Sequence, residues 1–286
     1  MNSVFIPSPV VVVPLYRLPL EDDEAFSLSV LRKVLGEYPC YFISPKGLQI
    51  PDSFLKHERV ARFSDRYFTY PFGYNRLLLE SRLFRRFSGH SHILIYQLDC
   101  LVFRNELREW AAKNYDYIGS PWYENYKYDY QRVRKWWVGN GGFSLRKTST
   151  ALRVLNTRIK RGVEFPVPRP HMPQPRGVEW FAFNFQRRLK QHFGFWTVED
   201  ELVNYAENED IFWALDVRRF TDDYTIPTPE EAMRFGFEQF PEKCLSQTNG
   251  QAPFGCHAWA KYDRDLCLKL LSSTAVSGNV HPIGLL

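Results

Sequence analysis

HILIYQLD, residues 92–99, is the stretch that decides the fold class. Its apolar residues follow one another without helical spacing, and the run ends on the carboxylate of Asp99. A short apolar run of this kind predicts a buried strand. Ligands of open α/β sheets collect at the carboxyl ends of the strands, so we expect Asp99 at a ligand-binding edge.

The beginning of the chain supports the same fold class. VVVVP (10–14) is a β-branched run that predicts a buried parallel strand. The stretch 15–38 places leucines and valines at helical spacing after the acidic residues 21–24, which favour a helix start. CYFIS (40–44) predicts the next strand. The opening is therefore a β–α–β unit, which is typical of nucleotide-binding sheets.

The rest of the chain alternates in the same way. Further strands are predicted at 60–64 and 115–121, helices at 71–87, 104–114, 150–162, 178–193 and 208–220, a glycine-rich loop at 137–147 and a proline-rich insertion at 164–177. We therefore predict an α/β protein with a Rossmann-like central mixed sheet flanked by helices. It should form one domain over residues 1–286 with an embellished C-terminal region.

Composition narrows the class of ligand. The net charge is +5, from 37 basic and 32 acidic residues, which is too mild for nucleic-acid binding. The basic runs RLFRRF (82–87) and RRLKQ (187–191) fit either solvated helix faces or attraction to a phosphate-bearing substrate or an anionic membrane surface. Aromatic residues, 16% of the chain, serve packing or bind flat ligands.

The cysteines and the N-terminus bear on the compartment. The five cysteines form no C-x-x-C pair and are odd in number, so we expect reduced thiols in a cytoplasmic protein. Prolines interrupt the apolar start MNSVFIPSPVVVVPLYRLPL, and no basic residue precedes the run. The stretch predicts neither a signal peptide nor a membrane span.

Two motifs in the first 150 residues could carry chemistry. Asp99 fits a divalent-cation ligand or a structural hydrogen-bonding carboxylate. In VGNGGFSLRK (138–147), the residues Asn140, Gly141 and Gly142 fit either a close backbone approach to a ligand or a tight turn. The glycine spacing differs from that of phosphate-binding loops.

Two later motifs have the same double interpretation. Asn208, Glu209 and Asp210 precede IFWAL, as at a helix N-terminus, yet paired acids facing a pocket can supply a general base. His257 lies in PFGCHAW (253–259). It fits a structural histidine or the single imidazole of a hard-oxygen manganese site.

Taken in their order along the chain, these motifs favour a functional interpretation over a structural one. QLD (97–99), GNGGFSLR (139–146), NED (208–210) and PFGCHAW (253–259) together resemble the GT-A glycosyltransferases. The sequence looks most like a branch that also has VPLY at its start and GYNRLLL before the strand that ends in Asp99. The resemblance runs from about residue 10 to residue 262.

The resemblance implies a GT-A-like fold and a metal site. Asp99 resembles the last carboxylate of the family's Asp-x-Asp element, which binds Mn²⁺ or Mg²⁺ and through it the diphosphate of the donor. Gln97 stands at the first position of that element, where it contributes no charge and contacts ribose or sugar instead. His257 resembles the C-terminal metal ligand.

The resemblance also implies roles for the remaining positions. Asp210, or else Glu209, resembles the base of inverting members. The loop of Asn140, Gly141 and Gly142 borders the donor sugar and the acceptor. The nucleotide is expected against Pro14, Tyr16, Arg17, Tyr74 and Asn75.

The function that the resemblance implies is transfer of a sugar from a nucleotide-diphosphate donor to a hydroxyl of a glycan or lipid-linked acceptor. Residues 1–121 would bind the nucleotide-sugar, and residues 122–286 would bind the acceptor and carry catalysis. Trp122, Trp136 and Trp137 would stack on acceptor sugars. We expect no nucleic-acid partner, and contact with the membrane face where lipid-linked acceptors reside.

The sequence also fits two other functions. A binding domain that kept the fold and lost its chemistry is favoured by Gln97 in place of an acid. A nucleotidyltransferase shares the α/β sheet, but it needs a glycine-rich phosphate loop after the first strand. VVVVPLYRLPL (10–20) contains no glycine.

Overall fold

A six-stranded sheet organises the computed structural model, which describes residues 6–123, 137–159, 178–205 and 207–277. In chain order the strands are β1 Val10–Pro14, β2 Cys40–Pro45, β3 Arg59–Phe63, β4 His92–Tyr96, β5 Leu101–Val102, β6 Tyr117–Gly119, β7 Pro121–Trp122, β8 Trp137–Val138, β9 Phe143–Lys147, β10 Gly236–Phe237 and β11 Gly255–Cys256. The helices are α1 Asp22–Val34, α2 Pro71–Leu77, α3 Ser81–Arg86, α4 Leu107–Ala112, α5 Thr148–Leu155, α6 Val178–His192, α7 Val198–Glu201, α8 Glu209–Ala214, α9 Pro229–Phe235, α10 Pro241–Gln247, α11 Trp259–Tyr262 and α12 Arg264–Ser277. Short 3-10 turns cover Asp52–Phe54, Asp65–Tyr67, Leu202–Asn204 and Asp216–Arg219.

The order of strands in the central sheet is β3-β2-β1-β4-β9-β6. Strands β1 to β4 pair in parallel, and β9 pairs antiparallel with both β4 and β6. Strand β9 therefore begins at the edge where β1 and β4 end. This mixed α/β sheet flanked by helices confirms the predicted fold class.

Both faces of the sheet are covered by apolar side chains. In β1, Val11 and Val13 face one core cluster, and Val10 and Val12 face the other. All four are essentially inaccessible to water. Burying a valine side chain contributes about 1.5–3 kcal/mol, so the sheet is held from both sides. The unbroken β-branched run reflects this double burial.

A three-stranded sheet, in the order β10-β11-β5, lies next to the end of β4. Strand β11 runs antiparallel to β5 with Cys256 opposite Leu101, and parallel to β10 with Cys256 opposite Phe237. Glu238, after β10, and His257, after β11, therefore come close to the residues that follow β4. This small sheet brings three distant parts of the chain together.

The predicted helix over 71–87 is wrong as one element. The structure has α2 and α3, separated by a break at Glu80, whose backbone is extended (φ −106°, ψ 135°). The Glu80 carboxylate accepts hydrogen bonds from the Tyr67 hydroxyl at 2.6 Å and from Arg76 Nε at 3.0 Å. The buried contact with Tyr67 outweighs the apolar periodicity that continues across the break.

Two of the later predicted helices are present, and one of them is shorter than predicted. The helix predicted over 208–220 ends at Ala214 and gives way to a 3-10 turn, and the helix at 178–193 is α6. All five cysteines are free and buried. Among the described residues, no helix combines the length and the apolarity that a membrane crossing requires. The proline-rich insertion at 164–177 and Trp136 lie outside the described residues.

Candidate functional site

A cavity opens at the edge of the sheet where β1 and β4 end. Its volume is about 440 Å³, within the range of small-molecule sites. Six of its lining residues are among those predicted to bind the donor: Pro14, Tyr16, Arg17, Tyr74, Gln97 and Asp99. Asn75 does not line this cavity, and its side-chain amide donates to Asn208 Oδ1 at 3.1 Å.

Arg17 and Tyr74 are two of the residues that line the cavity. The Arg17 guanidinium bonds Glu21 and Glu24 at 2.8 and 2.9 Å, so its charge is already partly compensated. The Tyr74 hydroxyl is buried, and burial, followed by the charge of Glu209, raises its pKa. Tyr74 therefore stays a neutral phenol.

A group of potential metal ligands lies at one side of this cavity. Donor atoms of Asp99, Cys100 and His257 lie within 4.8 Å of one another. His257 Nε2 is 3.3 Å from Asp99 Oδ1 and 3.2 Å from Gln97 Oε1. The Asp99 side chain is 52% exposed and faces the open side. Carboxylate, amide oxygen and imidazole form a donor set that suits Mn²⁺, and Mg²⁺ through its oxygens.

Cys100 differs from the other two. Its thiol is buried and donates to the Gly142 carbonyl at 3.3 Å. Burial, with Asp99 nearby, raises its pKa well above the usual value. Metal binding by cysteine requires the thiolate. Asp99, His257 and Gln97 are therefore the better ligand set.

His257 is held in a fixed orientation by Glu238. His257 Nδ1 donates to Glu238 Oε1 at 3.0 Å, and Trp122 Nε1 donates to Glu238 Oε2 at 2.6 Å. With Nδ1 engaged in this way, Nε2 points toward Asp99. A carboxylate behind a metal-binding histidine is a recurrent arrangement in metalloproteins because it fixes the ring and its tautomer.

The charges of Asp99, Glu238 and His257 shift one another's pKa values. Burial opposes protonation of His257, but the adjacent Asp99 and Glu238 outweigh it and raise its pKa to about 10. Burial pushes the pKa values of Asp99 and Glu238 upward, whereas His257 lowers both. The pKa values of both carboxyls are lowered overall. A cation at Nε2 would take the place of the proton there.

The glycine loop, Asn140 to Gly142, passes between two groups of side chains. One contains His257 and Gln97, and the other contains Glu209 and Arg146. A Cβ atom on Gly142 would lie 2.2 Å from His257 Nε2, and one on Gly141 would lie 2.0 Å from Glu209 Oε1. Asn140 adopts a positive φ of 64°, and its Oδ1 accepts from the Phe143 amide at 2.9 Å. Its Nδ2 lies 2.9 Å from His257 Nδ1 and donates to the Glu238 carboxylate, which also accepts from that ring nitrogen. The two glycines are required by close packing.

The two acids at the start of α8 have different environments. Arg146 binds Glu209 through two nitrogens, at 2.6 and 2.9 Å, and both side chains are almost fully buried. Asp210 instead accepts from the backbone amides of Gly141 at 3.1 Å and Ile211 at 2.9 Å. Burial, and then the charge of Glu209, raises the pKa of Asp210 to about 8.

Trp122 does not fit the predicted sugar-stacking role. Its ring is 5% exposed, packs against Trp137 with a centroid distance of 4.5 Å, and lies against Gly139. Its indole nitrogen donates to Glu238. Trp122 supports the site from behind.

Glu238 is the residue that sequence reasoning missed. It follows Gly236-Phe237 as His257 follows Gly255-Cys256, and these two-residue strands are paired side by side. The repeated pattern of glycine, apolar residue and polar residue is the signal that could have found it.

Several solved structures are similar to this chain. The chain resembles a galactosyltransferase, LgtC, solved with donor and acceptor sugar analogs (12% identity, 96% of this chain and 97% of that chain, TM-score 0.47). It also resembles a glycosyltransferase involved in glycosylation of the major capsid of PBCV-1 (10% identity, 92% of this chain and 98% of that chain, TM-score 0.41). A third similar structure is the mannosyltransferase Ktr4p of S. cerevisiae (10% identity, 42% of this chain and 40% of that chain, TM-score 0.31).

Among the curated proteins, none matches this chain. A family model described as "Protein of unknown function (DUF5672)" matches residues 57–257, a span that includes Gln97, Asp99, the glycine loop, Asp210, Glu238 and His257. The chain therefore belongs to the DUF5672 family.

Proposed function

We propose that this protein is a glycosyltransferase that moves a sugar from a nucleotide-diphosphate donor to a hydroxyl of a glycan or lipid-linked acceptor, with a divalent cation and inversion at the anomeric carbon. The observation that carries the proposal is the approach of His257 Nε2 to Asp99 Oδ1, 3.3 Å, at the side of the 440 Å³ cavity. Gln97 adds an amide oxygen to the same point.

Asp99, His257 and Gln97 would hold the cation. When bound there, Mn²⁺ or Mg²⁺ neutralises the negative charge that grows on a leaving diphosphate. Gln97 contributes a dipole at the position where the Asp-x-Asp element of the GT-A glycosyltransferases, which the sequence resembles, has an acid. The site would therefore carry one negative charge fewer before the nucleotide binds.

Glu238 is proposed as the positioning residue for His257. It contacts Nδ1 and not the ligand face, and Trp122 fixes its second oxygen. Partners of this kind orient the imidazole, and their loss typically costs about 10–100-fold in metal affinity. Trp122 would thereby act on the metal site through two successive hydrogen bonds.

Asp210 is proposed as the general base. Its pKa of about 8 suits proton transfer at near-neutral pH, since a base is most effective when its pKa is close to the working pH. Glu209 is less suited, because its charge is neutralised by Arg146 in a two-nitrogen ion pair that is almost fully buried. Asp210 would accept the proton of the acceptor hydroxyl as the new glycosidic bond forms.

The two parts of the chain would divide the substrates. The cavity is lined by residues between Pro14 and Asp99, which supports donor binding by residues 1–121. Residues 122–286 supply Asp210 and His257 and would bind the acceptor. We keep the chain as one catalytic domain in this proposal.

Hydrolysis of the donor tests the proposal without knowledge of the acceptor. Sugar nucleotides would be screened with Mn²⁺ and with a chelator. We expect slow release of one sugar that requires the cation and is lost in Asp99→Asn, while Asp52→Asn, an acid in a surface turn, behaves as wild type. Cation-dependent nucleotide binding without any hydrolysis or transfer would instead identify a binding domain that has lost its chemistry. Binding that ignores the cation would contradict the metal site.

A further inference from the structure

One face of α6 is apolar and exposed to solvent. Phe181, Phe185 and Leu189 recur every fourth residue and are 67%, 60% and 48% exposed. Phe193 and Phe195, just beyond the helix, are 60% and 61% exposed. Soluble proteins seldom expose large apolar side chains in such a continuous row, and those that do use the surface for binding.

The opposite face of the same helix is firmly attached to the protein. Phe183 packs against Trp196 with a ring distance of 5.6 Å. Arg187 pairs with Glu201 at 3.0 Å, and Lys190 pairs with Asp200 at 2.7 Å. The orientation of α6 is thereby fixed, and the apolar row faces outward because the inner contacts require it.

Positive charge borders the apolar row. Arg188 is an exposed residue of α6 next to Leu189, and the guanidinium of Arg158 lies 5.7 Å from the centre of the Phe195 ring. Two residues before Arg158, Asn156 accepts a hydrogen bond from Arg85 at 3.3 Å. The basic border therefore continues from α6 to α3.

At α3 the border leads into a basic concavity. Lys46, Arg62, Arg82, Arg85 and Arg86 line a hollow of about 520 Å³. Lys46 follows the end of β2, and Ser64, which also lines the hollow, follows the end of β3. Because these strands are parallel to β1 and β4, the hollow and the candidate site lie at the same edge of the sheet.

We propose that this surface, composed of the row Phe181, Phe185, Leu189, Phe193 and Phe195 and its arginine border, docks onto an anionic lipid bilayer. Aromatic and leucine side chains enter the boundary between headgroups and acyl chains, and the border attracts anionic headgroups. A second copy of the chain is a poorer occupant, since pairing this face with itself would bring like-charged borders together.

Co-sedimentation of the full chain with vesicles tests the proposal. We expect binding to vesicles of phosphatidylcholine with about one third phosphatidylglycerol, and little binding to phosphatidylcholine alone. Binding should weaken as salt screens the arginines. The double change Phe185→Ser with Leu189→Ser should lower the binding at least about tenfold without altering the charge. Phe240→Ser, which removes an exposed phenylalanine elsewhere, is the matched control and should bind as wild type.

The outcomes are decisive in both directions. The proposal is overturned if the wild-type chain ignores anionic vesicles, or if the double variant binds them as well as wild type does. It is also overturned if light scattering shows a dimer that the double variant converts to a monomer, since the face would then join two copies. Donor hydrolysis in solution is measured on the same variants. Hydrolysis without vesicle binding would refute the docking surface and leave the proposed transfer activity standing.

Discussion

The carboxylate of Glu238 accepts a hydrogen bond from His257 Nδ1 at 3.0 Å, across the neighbouring ends of β10 and β11. The bond leaves Nε2 as the nitrogen that faces Asp99. One carboxylate thus decides which side of the imidazole is available to a cation.

Glu238→Gln should weaken Mn²⁺ binding about 10–100-fold, because the amide is a poorer acceptor for Nδ1 and for the indole of Trp122. Calorimetric titration with Mn²⁺ measures the change. Affinity for a nucleoside diphosphate in the presence of a chelator should stay the same. Glu242→Gln, a surface change in α10, is the control. Unchanged Mn²⁺ affinity in Glu238→Gln would remove the positioning role.

Asp210→Asn should lower transfer by about two to four orders of magnitude, the usual contribution of a general base. The asparagine keeps the shape and can still accept from the Gly141 amide. Nucleotide affinity should therefore stay near wild type. In the wild-type protein the rate should rise with pH up to about 8, where Asp210 loses its proton, and the variant should lack this rise. A transfer rate within about threefold of wild type would leave Asp210 structural.

The same carboxyl predicts a pH dependence of stability. Its pKa is about 8 in the folded protein against 3.8 as the ordinary value, so the folded state binds the proton more tightly. The stability that this proton contributes is complete at low pH and is lost as the pH rises to about 8. The melting temperature of Asp210→Asn relative to wild type should therefore increase from pH 5 to about pH 8 and then level off. A constant difference would contradict the raised pKa.

Glu209→Gln should destabilise the protein by about 3–5 kcal/mol, since it leaves the buried guanidinium of Arg146 without a countercharge. Denaturant unfolding measures the loss. Asp223→Asn breaks an exposed ion pair with Arg153 and should leave the unfolding midpoint unchanged. Equal behaviour of the two variants would show that the buried pair contributes no more than a surface pair. Because of this cost, activity of Glu209→Gln must be compared at equal folded fraction.

Gly142→Ala should abolish the effect of Mn²⁺ on nucleotide binding. The added methyl would lie 2.2 Å from His257 Nε2 and 2.8 Å from Gln97 Oε1, so both side chains must move. Overpacking of this kind costs about 1–3 kcal/mol in stability. Gly89→Ala is the control, because its Cβ would meet no atom within 4 Å. Normal cation-dependent binding in Gly142→Ala would show that the ligand side chains do not need their present positions.

The sheet could be predicted from the sequence, because β1 and β4 are continuous apolar runs, and such runs are typical of strands that are buried on both faces. It also allowed Asp99 and His257 to be placed together, but only through the order of the motifs. Glu238 and the buried position of Trp122 could not be predicted in this way. They depend on pairing between strands of two residues, which are too short to leave a periodic pattern. The break at Glu80 was missed for a related reason, because a buried side-chain contact with Tyr67 overrides local helical spacing.

The three-stranded sheet also has a consequence for the kinetics of folding. His257 and Gln97 are separated by 160 positions, and their contact depends on β11 finding its place against β5. Contacts between such distant segments form slowly, because closing the long loop between them costs chain entropy before the contacts can stabilise the structure. The β–α–β opening of the chain can form from local contacts first. Cation binding at the proposed metal site should therefore appear after most of the helical signal has returned, so that it would report late on the formation of the native state.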